Sequence, residues 1–209
     1  SERSLTLRPE NTAGVVRSFI ENGMHRLSAP VKLWYKGPMF RYERPQAGRQ
    51  RQFHQVGVEV FGIKQPAADA EVILMAVNYL KALGLNDLSV ELNSLGCPEC
   101  RETFKTKLKE VIKPYLSQLC PDCQARYEKN PLRLLDCKVE ECKEIYAKPE
   151  IQEVIQSDFI CDECAEHFTS LKEYLDALNI NYSINKLLVR GLDYYNRTVF
   201  EIKSNNLGS

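Results

Sequence analysis

Two groups of residues in this 209-residue chain have types and spacing suited to chemistry. The first is a hairpin-like stretch from Phe40 to Gly62 that carries Arg41, Glu43, Arg49, Arg51, Gln55 and Glu59. Residues two apart on a strand share a face, so Phe53, Gln55, Gly57, Glu59 and Phe61 point one way and Val56, Val58 and Val60 the other. This predicts a valine face turned to the core. The opposite face then offers two aromatic rings, an amide, a carboxylate and a bare glycine against which a ligand can lie. Gln55 and Glu59 stand roughly 13 Å apart on such a strand, the span of a ligand with several rigid groups. From Arg26 to Arg51 seven basic residues meet one acid, a local +6. Guanidinium forks take phosphate oxygens in pairs, so a polyphosphate suits this patch. An ordinary exposed hairpin with solvated charges fits the composition equally well.

The second group is eight cysteines, Cys97, Cys100, Cys120, Cys123, Cys137, Cys142, Cys161 and Cys164. Three pairs have the two-residue spacer that brings two thiolates to one tetrahedral zinc, and the 137/142 pair has a longer one. Nothing in the sequence looks like a secretory leader, which favours zinc over disulfides. Four pairs make two sites of four sulfurs, for instance 97/100 with 120/123 and 137/142 with 161/164. Free thiols are the alternative. His25, His54 and His167 read as surface or packing residues, with no ligand partner in sequence.

These groups need elements to hold them. Charged residues balance at 28 against 28, which excludes a globally basic nucleic-acid binder, and no apolar run is long enough to span a membrane. The fold class read from the pattern is α+β, a sheet domain interrupted by a helical insertion. A helix opens after Arg8-Pro9-Glu10 and stops at Gly23, and a strand from Val31 to Tyr35 is expected to break at Gly37-Pro38. The hairpin follows, then a helix from Ala67 to Leu83 and a strand around residues 88–92. Residues 97–182 hold every cysteine and a charge of −5, from 12 basic and 17 acidic residues. Short helices are expected there at about 101–118, 138–147 and 162–178. Strands return at residues 187–189 and 198–202. The division is a discontinuous core, 1–96 and 183–209, interrupted by an insertion at 97–182.

The string Phe40-Arg41-x-Glu43-Arg44-Pro45, then Gly48-Arg49, Arg51-Gln52-Phe53-His54-Gln55 and Glu59-Val60-Phe61-Gly62, resembles motif 2 of class II aminoacyl-tRNA synthetases in its histidyl-tRNA synthetase version. Leu7-Arg8-Pro9-Glu10-x-Thr12-Ala13-Gly14 is similar to a second stretch of that family. Leu188-Val189-Arg190-Gly191-Leu192-Asp193-Tyr194-Tyr195 is similar to its histidine-binding motif. Three matches in the family's order cover nearly the whole chain, and the resemblance implies the class II type of fold, an antiparallel sheet flanked by helices.

The resemblance implies ATP-dependent activation of histidine and its transfer to tRNA(His), in the cytoplasm, with ATP entering as its Mg2+ complex and a homodimer as the working form. It implies that Arg41 and Arg190 are catalytic, holding the α-phosphate. Glu10, Thr12 and Gln55 would grip the histidine ammonium, and Glu59, Tyr194 and Tyr195 would surround the imidazole. Arg41, Glu43, Arg49 and Phe53 would bind ATP, with adenine stacked on Phe53. The loop 46–52 would reach the phosphates and the tRNA acceptor end. Arg8 and Arg44, each before a proline, read alternatively as backbone braces, Asp193 as a turn former, and one of the two tyrosines as packing. The family's motifs 1 and 3 and its anticodon-binding domain are expected outside these 209 residues, which makes the chain a piece of a longer protein. The insertion is expected in bacterial members, but its cysteines are not a general family feature. The rival function is a catalytically inactive relative, the regulatory subunit of ATP phosphoribosyltransferase; a zinc-dependent interaction module is a third.

Overall fold

Residues 4–43, 48–157, 159–190 and 194–204 are described by the computed structural model, so Arg44 and Asp193 fall outside it. Two units are distinguished by internal contact, one ending at Ala68 and the other spanning Asp69–Ser204.

In the first unit, helix α1 (Thr12–Glu21) ends before Gly23, whose φ of 62° suits a residue without a β-carbon. Strands β1 (Val31–Phe40) and β2 (Gln52–Phe61) pair antiparallel, with Val31 opposite Phe61 and Phe40 opposite Gln52. The expected break at Gly37-Pro38 does not occur. The backbone at Pro38 and Phe40 faces away from β2: the Pro38 carbonyl accepts from Arg8 Nε at 2.9 Å and the Phe40 N–H donates to the Arg8 carbonyl at 2.9 Å. Proline there removes no ladder bond.

The expected burial of the valine face is also overturned. Val56 is 47 % exposed and Trp34, opposite Val58, is 72 % exposed. Phe19 of α1 stacks on Phe61 with ring centroids 4.2 Å apart, so the helix covers the face bearing Gln55 and Glu59 instead.

In the second unit, β3 (Leu88–Ser94) is the middle strand, parallel to β4 (Tyr182–Ile184) and antiparallel to β5 (Thr198–Ser204). Strands from both sides of the cysteine-rich segment thus lie in one sheet. Ile73 and Val77 of α2 (Pro66–Ala82) and Leu171 and Leu175 of α7 (Asp162–Ala177) pack with Val90 and Leu92 of β3. The strand expected at residues 187–189 lies earlier, at β4. Residues 185–188 instead form a turn closed by the Leu188 N–H on the Asn185 carbonyl, and buried Asn93 ties it down by donating to the carbonyls of Lys186 and Leu188.

Between β3 and α7 run α3 (Pro98–Ile112), α4 (Pro121–Lys129), α5 (Glu140–Tyr146) and α6 (Pro149–Gln156), around a second core that includes Leu108, Ile112, Leu134, Ile151 and Ile155. The helix expected to reach residue 118 ends at Ile112 and gives way to a 3-10 turn containing Pro114. Two helices the periodicity did not predict, α4 and α6, each start on a proline that presets the first helical φ. Among the described residues no helix is long and apolar enough to cross a membrane.

Candidate functional site

Strand alternation puts Phe53, Gln55, Gly57 and Glu59 on the half-covered face of β2, and antiparallel register adds Leu33, Tyr35, Gly37 and Met39 from β1. The Glu10 carboxylate caps α1, accepting from the N–H of Thr12 at 2.5 Å and of Ala13 at 3.3 Å, where the positive helix end favours an anion. Burial pushes the Glu59 carboxyl above the usual carboxylate range; a bond from the Thr12 side chain offsets this in part, and the nearby Glu10 charge adds to it. The Gln55 side-chain oxygen is buried without a partner. Glu10, Thr12 and Glu59 therefore meet, and Gln55 shares their face. Among the described residues the Gln55 oxygen is the member of this set left unpaired, and a buried acceptor without a donor costs free energy unless a ligand supplies one.

Arg41 is fixed beside this set: its Nε donates to the Pro9 carbonyl at 2.9 Å and its guanidinium lies 4.9 Å over the Phe53 ring. Arg49 pairs with Glu43 at 3.3 Å. Arg51 bonds the Glu43 carbonyl at 3.3 Å and lies 4.6 Å over the Tyr42 ring. Arg8 braces the backbone, as its alternative reading held, and its guanidinium fills the space over Gly37. An open cavity of about 480 Å³ lies against Leu5, Leu7, Phe40, Arg41 and Arg51.

One residue escaped the sequence reading. The ring of Tyr35 lies on Gly57, where a β-carbon would come within 2.3 Å of it. The space thought open to a ligand is filled by the chain itself. The signal was the register, which sets an aromatic residue opposite a glycine across the pair.

The second unit carries the other predicted residues. Arg190 donates to the Phe200 carbonyl of β5, and Tyr194 and Tyr195 stack on each other with centroids 4.9 Å apart.

All eight cysteines are unpaired as disulfides and fall into two groups. Cys97, Cys100, Cys161 and Cys164 form one and Cys120, Cys123, Cys137 and Cys142 the other, with the sulfurs of each group within 4.8 Å of one another. The expected partition of 97/100 with 120/123 is therefore corrected. Cys97 and Cys161 are the N-caps of α3 and α7, and those two helix starts meet; Cys120 caps α4. A tetrahedral Zn–S length of about 2.3 Å spaces sulfurs by about 3.8 Å, close to the 3.4 Å of Cys97 to Cys100 and the 3.9 Å of Cys120 to Cys137. Backbone N–H groups already point at sulfur, Cys161 to Cys100 at 3.1 Å and Cys120 to Cys142 at 3.3 Å. Burial works against ionising Cys100, yet those N–H and S–H donors hold it at about 7, while burial pushes Cys164 up to about 12 and raises Cys123 and Cys142. Four thiolates so close need a bound cation to stay ionised together. Each group is able to hold a metal ion.

Comparison with known proteins points to one family. The profile of the family described as histidyl-tRNA synthetase matches residues 1–99. A histidine–tRNA ligase from Desulforamulus reducens is 56 % identical over 100 % of this chain and 49 % of its own length. The crystal structure of apo S. aureus histidyl-tRNA synthetase superposes with a TM-score of 0.73 at 39 % identity, over 97 % of this chain and 46 % of that one. A structure described as an ATP phosphoribosyltransferase regulatory subunit/histidyl-tRNA synthetase from Bacillus halodurans C reaches 0.61 at 21 % identity, over 97 % and 55 %, a likeness of fold alone. The chain spans about half the length of the curated relatives it matches.

Proposed function

This chain belongs to the histidyl-tRNA synthetase family, and from that premise we propose that it serves ATP-dependent ligation of histidine to tRNA(His). The histidine carboxylate attacks the α-phosphate of ATP, pyrophosphate leaves, and histidyl-adenylate forms; a terminal hydroxyl of the tRNA then takes the histidyl group and AMP leaves. Nothing in the first step needs a covalent enzyme intermediate, so positioning and charge neutralisation carry it.

The observation that carries this reading is the acceptor set of Glu10, Thr12, Glu59 and the unpartnered Gln55 oxygen. A histidine ammonium satisfies the Gln55 oxygen, which the fold leaves unpaired, and adds a cation beside Glu10, while a carboxylate at Glu59 selects a ring N–H. Arg41, already anchored by Pro9, neutralises the α-phosphate, and Phe53 offers its ring to adenine when the nucleotide takes the guanidinium. Glu43 and Arg49 orient the ATP phosphates. The family resemblance assigns Arg190 to the α-phosphate and Tyr194 and Tyr195 to histidine. We further assign one structural Zn2+ to each cysteine group, a dimer as the working form and the cytoplasm as its place. The regulatory alternative is supported by fold likeness at 21 % identity, against 56 % for a ligase.

The test is histidine-dependent exchange of pyrophosphate into ATP, in the protein at the full length of its relatives. The reading predicts exchange with histidine and none with glutamine or phenylalanine. A protein of full length that binds histidine without catalysing exchange speaks for the regulatory alternative.

A further inference from the structure

We propose that the metal site of Cys97, Cys100, Cys161 and Cys164 positions the segment of residues 194–197, so that zinc at this site tunes histidine binding without touching the substrate. The link to histidine rests on the ligase reading; the positioning stands on hydrogen bonds alone.

Three residues that are immediate neighbours of these cysteines hold that segment. Gly96, before Cys97, accepts from the Arg197 N–H at 2.8 Å, while Leu95 returns a bond to the Arg197 carbonyl at 2.7 Å. Arg101, after Cys100, donates to the Tyr195 carbonyl at 2.6 Å. Glu163, before Cys164, pairs with the Arg197 guanidinium. Arg197 has a φ of 54°, a left-handed conformation that a residue with a β-carbon keeps only when its surroundings impose it. The start of α3, the start of α7 and the end of β3 impose it here, and the four sulfurs lie within 4.8 Å of one another where the two helix starts meet. Tying those sulfurs to one ion fixes all three holding residues at once, as outer-shell groups fix a metal site in reverse.

Among the described residues the other cysteine group is not linked to residues 194–197 by hydrogen bonds of its neighbours; its core touches the chain before that segment only through Val189. Three of its four sulfurs sit in the core among Leu108, Tyr127 and Ile145, and the bonds made by its neighbours return within the segment, Gln124 to the Leu119 carbonyl and Lys143 to Glu140. The two groups divide the work: one stabilises the helical segment, the other also positions residues 194–197.

The experiment uses the zinc-loaded protein at the full length of its relatives, with metal content measured by mass spectrometry and backbone amide exchange followed over residues 194–199. Wild type should hold two zinc ions per chain. Cys97→Ser with Cys161→Ser should hold one, exchange those amides faster, and raise the KM for histidine on the order of tenfold with the KM for ATP unchanged. Cys123→Ser should lose the other ion and leave exchange at residues 194–199 as it was. Arg101→Met guards against a cysteine variant that does not fold: it should keep both ions and still speed exchange there and raise the histidine KM. Unchanged exchange at residues 194–199 in the variant lacking the first ion, or in Arg101→Met, overturns the proposal. Faster exchange in a protein whose wild type shows no histidine-dependent activity supports the positioning and removes only the ligase reading.

Discussion

The hairpin of the first unit and the cysteine-rich segment of the second handle their reactive groups in opposite ways. On β2 the acceptors converge and stay partly unsatisfied: the Gln55 oxygen has no partner, and burial and Glu10 hold the Glu59 carboxyl above its ordinary range. In the cysteine segment every sulfur has three others within 4.8 Å, and backbone N–H groups are aimed at two of them. A surface that leaves polar groups unpaired at a free-energy cost is built for a transient guest. A cluster that closes on itself is built for a resident one.

The contrast can be broken most forcefully at the inner cysteines. Cys123→Ser removes a proposed zinc ligand from the middle of the helical segment's core, and a lost structural metal costs more than about 4 kcal/mol. Thermal unfolding should show the segment melting early and one zinc ion missing, while activity at low temperature persists. On the hairpin the expectation reverses. Arg41→Ala should lower histidine-dependent pyrophosphate exchange on the order of 10²- to 10³-fold, the cost of one charge-stabilising donor, with the melting temperature nearly unchanged.

Gly57→Ala sharpens the comparison from the packing side. Its new methyl group would come within 2.3 Å of the Tyr35 ring, so the ring must leave the strand face. Overpacking of this kind costs about 1–3 kcal/mol, read by denaturant unfolding, and a displaced Tyr35 should weaken histidine binding in titration. Smallest is the stability change in Glu59→Gln. A carboxyl whose folded pKa is raised supports the fold below its ordinary pKa and loses that support as pH rises through the folded value. Wild type at neutral pH therefore carries a cost that glutamine lacks. The variant should melt higher at pH 7, with the gap closing as the pH falls below the usual glutamate range, although its ligand site is damaged.

The same two regions differ in how much of them could be read from the chain. Strand alternation is local, so Gln55, Glu59 and Phe53 sharing a face followed from spacing alone. What covers a face is not local: α1 packs on the acceptor side through Phe19 and Phe61, and the valine side stays open against expectation. Tyr35 over Gly57 needed the pairing register. The cysteine pairs were legible as ligands because two-residue spacing fits one ion, but which pairs meet depends on helix starts 64 residues apart, Cys97 and Cys161, packing side by side. Spacing therefore gave the wrong partition. The three-residue strand β4 carries too few positions for alternation to register, whereas the apolar run at residues 187–189 looked like a strand because Leu188 is buried in a turn.

If the β2 face binds histidine, as proposed, calorimetric titration will register it. Protein at the full length of its relatives is titrated with histidine in the presence of a non-hydrolysable ATP analogue, then again as Glu59→Gln. The account predicts one histidine bound per chain, no binding of glutamine or phenylalanine, and affinity reduced by at least about tenfold in the variant. Histidine bound equally well by Glu59→Gln would contradict it, because the carboxylate that the fold holds beside Thr12 and Glu10 would then have no part in choosing the substrate.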